Sequence, residues 1–86
     1  MTIKSTVPTP NGLKVAVYTA SVMNKGTYTD NIYTLLIDET KGKFHNIASN
    51  CIIEMKFHGN ARYKSRMHAH FIAQAERLAQ EWAACA

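Results

Sequence analysis

The sequence is short of several things at once, and each shortage removes a class of protein. No apolar run approaches the ~20 residues of a membrane-spanning helix. The opening stretch, Met1-Thr-Ile-Lys-Ser-Thr-Val-Pro-Thr-Pro10, lacks the apolar segment of a secretory signal. Two cysteines, Cys51 and Cys85, are too few for a disulfide framework. Both have apolar neighbours, which suits reduced thiols in a cytoplasmic protein, with an intermolecular pairing through Cys85 as the alternative. The 86 residues leave room for one domain, which excludes a multi-domain enzyme, a dinucleotide-binding sheet and a solenoid. Neither the phosphate loop G-x-x-x-x-G-K nor the nucleophile elbow G-x-S-x-G occurs.

Metal spacing is missing too. There is no C-x-x-C and no H-x-x-x-H among His45, His58, His68 and His70. His68 and His70 stand two apart on what reads as a helix, about 200° around its axis, so they cannot grip one ion from one face. Cys51 lies in a strand pattern, pointing inward, where a thiol is not activated. No metal, no cofactor and no catalytic set is expected, and the chain reads as a binding protein rather than an enzyme.

Acids are scarce in one place. Ten Lys and Arg against six Asp and Glu give a net charge of +4. Between Met55 and Ala75 stand Lys56, Arg62, Lys64 and Arg66 with no acid, together with His58, His68 and His70. Elsewhere the six remaining bases balance all six acids. The whole excess therefore belongs to one segment, which favours an anionic partner.

Hydrophobic residues at 47% and charged residues at 19% describe an ordinary globular domain. Residues 1–11, with Pro8 and Pro10, read as a flexible leader before a single α+β domain over 12–86. Leu13–Met23 alternates as a strand with Leu13, Val15 and Val17 on one face. Asn24-Lys25-Gly26 marks a turn, and Thr27–Asp30 is a polar stretch. Ile32–Asp38 is a second strand, Thr40–Lys43 a turn, and Phe44–Ala48 is strand-like. Ser49-Asn50 is a tight turn or a bulge. Cys51–His58 alternates, with Cys51, Ile53, Met55 and Phe57 facing the core and Glu54, Lys56 and His58 facing out. Gly59-Asn60 ends that strand.

From about Arg62 the period becomes helical. Met67, Phe71, Ala75 or Leu78, Trp82 and Cys85 form an apolar stripe, widened by Ile72, Ala79 and Ala83. Arg66, His70, Arg77 and Glu81 lie opposite, and Asn60 or Ser65 supplies the N-cap. The expected fold is α+β: an antiparallel meander of three to four strands with one long C-terminal helix on one face. The uncovered face should carry Ile52, Glu54, Lys56 and His58, with Thr34 or Tyr33 according to register.

Three resemblances follow from these patterns. Arg62-Tyr-Lys-Ser-Arg66 followed by an alanine-rich amphipathic helix, over about Lys64 to Ala84, resembles the last helix of double-stranded-RNA-binding domains, which implies that its basic start meets phosphates. Strands followed by one helix are similar in architecture to the sheet-reading DNA-binding domains of integrases and plant transcription factors. Asp38 with Glu54-Met-Lys56 resembles the Asp…Glu-x-Lys core of metal-dependent nucleases, which would imply Mg²⁺ held by the carboxylates and a lysine aiding the attacking water. The chain lacks that family's N-terminal helix, and Glu and Lys on one strand face otherwise make a weak surface pair.

The leading expectation is a non-enzymatic module that holds nucleic acid, or a nucleic-acid-handling protein, through Lys56, His58, Arg62, Tyr63, Lys64, Arg66 and His70. Tyr63 is placed to stack on a base. A steric protein–protein inhibitor of the phage or mobile-element kind is the alternative, and the small Mg²⁺-dependent nuclease is a second one. No membrane partner is expected. A homodimer through a sheet edge or the exposed face is compatible with the pattern.

Overall fold

The computed structural model describes residues 2–41 and 49–85. Four antiparallel strands, β1 (Thr2–Pro8), β2 (Lys14–Asn24), β3 (Thr27–Ile37) and β4 (Ile52–Arg62), lie side by side in chain order. One helix, α1 (Arg66–Cys85), follows and packs on one face of the sheet. The architecture is the α+β meander with a C-terminal helix that the periodicities imply. One strand has a different origin. Residues 2–8, expected in a loose leader, pair with β2 as edge strand β1. Pro8 is tolerated there because it ends an edge strand. Phe44–Ala48, expected as a strand, lies outside the described residues.

The β2–β3 hairpin turns through Lys25 and Gly26, both at positive φ (50° and 79°), the conformation of a two-residue type I′ turn. The chain can therefore pair without slippage from Asn24↔Thr27 to Lys14↔Ile37, and the polar Thr27–Asp30 stretch belongs to β3. β4 is less regular. Its pairing with β3 shifts between Ile52 and Glu54 and again between Phe57 and Gly59, so Ile53 and His58 are bulged residues. The strand also runs past Gly59-Asn60 to Arg62. Ser49–Cys51 forms a single 3₁₀ turn rather than a bulge.

The helix sets the two faces apart. Val15, Val17, Ile32 and Leu36 pack against Ala75, Ala79 and Ala83, with Val7, Leu13, Phe71, Ile72 and Trp82 around them. Three alanines at four-residue spacing bring the helix backbone close to the sheet. Two residues of the expected stripe point elsewhere. Met67 is 50% exposed, and Cys85 is also at the surface. The inner position of the first turn belongs to His68 instead, because its ring is tied to the sheet. Beyond the first turn Phe71, Ala75, Ala79, Trp82 and Ala83 stay on the sheet side.

Ser65 is the N-cap: its hydroxyl accepts the His68 amide at 3.1 Å. The helix therefore starts at Arg66, four residues later than the periodicity alone suggests. Its first turn holds no acid. Asp30, arriving from β3, supplies the anion: it takes His68 Nε2–H at 2.9 Å and the Ser21 hydroxyl at 3.0 Å. The Tyr63 ring meets the His68 ring edge-on at 5.4 Å.

The other face carries a smaller cluster: Ala16, Leu35 and Ile37 with Ile3, Tyr18, Tyr33 and Ile52 against them. Gly59 belongs to the helix side, where Phe71 lies directly over its α-carbon. Any β-carbon at Gly59 would run into the Phe71 ring. Gly59→Ala should therefore destabilise the fold by roughly 1–3 kcal/mol, and Phe71→Leu in the same chain should recover part of the loss. Thermal denaturation of both variants measures this; an unchanged melting temperature for Gly59→Ala would contradict the packing.

Candidate nucleic-acid interface

The β4 bulges decide where the charged side chains go. Directly opposed residues in an antiparallel pair share a face. Glu54 opposes Leu36 and Lys56 opposes Thr34, and both β3 partners face the helix. Met55 and Phe57 oppose Leu35 and Tyr33, which face away from it. The expected orientation of this strand is thus reversed. Met55 (59% exposed) and Phe57 (50%) stand on the open face, while Glu54, Lys56 and His58 lie on the helix side. Of the pair Thr34 or Tyr33, Tyr33 is the open-face residue, and Ile52 is on the open face as expected. Alternation paired Glu54 with Lys56 and Met55 with Phe57, but did not show which face the helix would choose. The bulge at Ile53 then shifted the phase between Ile52 and Met55.

His58 is held from beneath the helix. Thr34, fully buried, donates its hydroxyl proton to the Ala75 carbonyl at 3.0 Å. That leaves the oxygen as an acceptor for His58 at 2.8 Å, so Nε2 of His58 carries a proton and donates. Burial, and then the charge of Lys56, push the His58 pKa below the ordinary histidine value. This imidazole is a structural strut that favours its neutral form. The sequence offered Thr34 only as a candidate for the uncovered face; its place under the helix depends on the register.

The corner between β4 and α1 gathers other cations. Tyr63 is exposed, with Lys64 Nζ and Lys4 Nζ each 5.6 Å from its ring centroid. Lys4 reaches it from β1, a partner that no local pattern pointed to. Lys64 takes a left-handed conformation (φ 62°) to turn the chain into the helix. Arg62, Lys64 and Arg66 are exposed, and no ion pair joins them or Lys56 to an acid among the described residues. His70 is also exposed, bonded at 3.1 Å to Gln74 one turn on. Arg62 opposes Thr29 on the open face, one step from the Asp30↔Ala61 pair on the helix side. The seven expected site residues therefore fall into three places. Tyr63, Lys64 and Arg66 form the corner with Lys4. Arg62 borders the open face. Lys56 and His58, with His70 on the helix surface, lie on the other side of β4.

The open face holds aromatic residues that the charge argument passed over. Tyr18, Tyr33 and Phe57 stand in one row across β2, β3 and β4, with ring centroids 6.2 Å and 5.4 Å apart. Only the strand register and the β4 bulges bring them together. Elsewhere the surface is less organised. A shallow groove of about 530 Å³ between β1 and the helix is lined by Ser5, Thr6, Glu76, Arg77 and Gln80 among others. The Asp38 carboxylate is engaged by its own turn, accepting the Thr40 hydroxyl at 2.7 Å and the Thr40 amide at 3.1 Å. These bonds hold its pKa below the usual carboxylate range. Among the described residues no three His, Cys, Asp or Glu side chains gather into a metal-binding group, and no helix is long and apolar enough to cross a membrane.

No protein-family model, no curated protein and no solved structure matches this chain.

The depressed His58 pKa has a definite sign for stability. Above about 6.5 the folded and unfolded states both hold it neutral, and it makes no difference. As the pH falls below that value the unfolded chain takes up a proton that the folded chain resists, so stability falls. His58→Gln keeps a donor but does not titrate, and should flatten the decline of urea-unfolding stability below pH 6.5 relative to the parent chain. An unaltered or steeper decline would contradict the assignment.

Proposed function

We propose that this chain is a non-enzymatic module that holds nucleic acid through the cations gathered where β4 passes into α1. The observation that carries this reading is the Tyr63 corner: two ammonium groups flank one exposed ring, and Arg62, Lys64 and Arg66 beside it have no acidic partner among the described residues. Cations at a helix start oppose its macrodipole at roughly 0.3–1 kcal/mol each, so helix stability does not account for them. A phosphate bound there would meet the cationic side chains of the corner. An intracellular, reducing setting suits the two free thiols.

Binding of this kind is largely counterion release, so it must weaken with salt. Fluorescence anisotropy with labelled 30-nucleotide DNA, single-stranded and duplex, over a KCl series tests it. The triple variant Arg62→Ala/Lys64→Ala/Arg66→Ala should bind at least tenfold more weakly at low salt. Its slope of log K against log[salt] should be smaller by about 2–3. Unchanged affinity and slope would dispose of the reading.

A further inference from the structure

We infer that the open sheet face is a stacking platform for single-stranded nucleic acid, with Tyr18, Tyr33 and Phe57 each taking a base and Arg62 taking the backbone where it leaves the sheet. This rests on the nucleic-acid reading of the neighbouring corner and extends it to a strand type and a path.

Four features of this face select the occupant. The first is the aromatic row: three rings on three adjacent strands, 6.2 Å and 5.4 Å between centroids, with Phe57 half exposed on the edge strand. Rings on adjacent strands suit bases splayed from a drawn-out strand, and a duplex keeps its base faces stacked inside. The second is charge. The strands contain two carboxylates, Asp30 and Glu54, and both lie on the helix side. The charged residues that the strands place on the open face are Lys14 and Arg62, both basic, at opposite ends. Lys14 pairs at 3.2 Å with Glu39, beyond the end of β3. A sheet face free of strand carboxylates and attached to a cationic corner is complementary to a polyanion.

The third feature is polar. Beside the aromatic row Asn60 donates its side-chain amide to Asn31 at 2.7 Å. That bond fixes both amides and leaves an Asn31 N–H donor and an Asn60 carbonyl acceptor side by side, a pair able to meet a base edge. The fourth is continuity. Phe57, Asn60 and Arg62 follow one another along β4, and Tyr63 and Lys64 come next at the corner. A strand stacked on the rings would run directly to the cations.

The test uses the full chain with labelled dT12 and with a duplex of matching length. Phe57→Ala should weaken dT12 binding about tenfold, the lower-middle of the range for loss of one stacked base. Duplex affinity and the salt slope should stay at the parent values, and Phe57→Tyr should restore dT12 binding. A thermal melt shows whether each variant is folded. Independently of any variant, ultraviolet cross-linking of a 5-bromouracil-substituted dT12 to the parent chain should mark Tyr18, Tyr33 or Phe57. Salt-sensitive binding by the parent with equal dT12 affinity in Phe57→Ala, or cross-links confined to Tyr63, would overturn the platform and leave the corner reading standing. No binding of either oligonucleotide by the parent would overturn both. A concentration-dependent dimer buried through Met55 and Phe57 would overturn the platform by giving the face a protein occupant.

Discussion

A four-stranded sheet has two faces, and the described residues hold one α-helix, which covers one of them. The rest of the structure depends on that constraint. The covered face is chosen by close approach: Ala75, Ala79 and Ala83 let the helix settle on Val15, Val17, Ile32 and Leu36. Two hydrogen bonds and one packing contact then fix it in place. His68 reaches Asp30, Thr34 reaches the Ala75 carbonyl, and Phe71 seats on Gly59. Each tie joins the helix to β3 or β4, so the helix start is anchored at the end of the sheet where β4 finishes. The cations of the corner are gathered by the same anchoring.

The uncovered face is the consequence. It keeps a modest apolar layer in which Ala16, Leu35 and Ile37 are buried, with Ile3, Tyr18, Tyr33 and Ile52 packed against them. Over them stand Tyr18, Tyr33 and Phe57. Large side chains on an open sheet shield the backbone and the small residues beneath, and they also present flat apolar surface to whatever arrives. Two bulges in β4 make this arrangement. The first sends Met55 and Phe57 outward, and the second returns Gly59 and Ala61 to the helix side so that Phe71 and His68 find their partners.

Much of this architecture was legible in the residues. The β2 alternation placed Leu13, Val15 and Val17 on one face, which the helix covers, Lys25-Gly26 gave the hairpin, and the Ser65 cap was one of two candidates. What was not legible has physical causes. Prolines and small polar residues hid β1, because an edge strand needs only one hydrogen-bonded neighbour. The orientation of β4 was hidden because a bulge changes phase without changing composition. His68 could not be recognised as a core residue until Asp30, far away in sequence, was seen to meet it. For the site, the cationic segment was visible as a charge imbalance. Lys4 at the Tyr63 ring and the aromatic row required the sheet register.

The central claim is that Met55 and Phe57, on the face away from the helix, lie open to solvent while the alanine seam is sealed. Paramagnetic relaxation by a soluble, uncharged nitroxide, read by nuclear magnetic resonance on the free protein, reports this directly. Strong broadening of the Met55 methyl and Phe57 ring signals, with the Ala75 and Ala79 methyl signals left sharp, is the predicted result. Equal protection of Met55 and Phe57 with the alanine methyl groups would show that the face is covered, and would contradict the account.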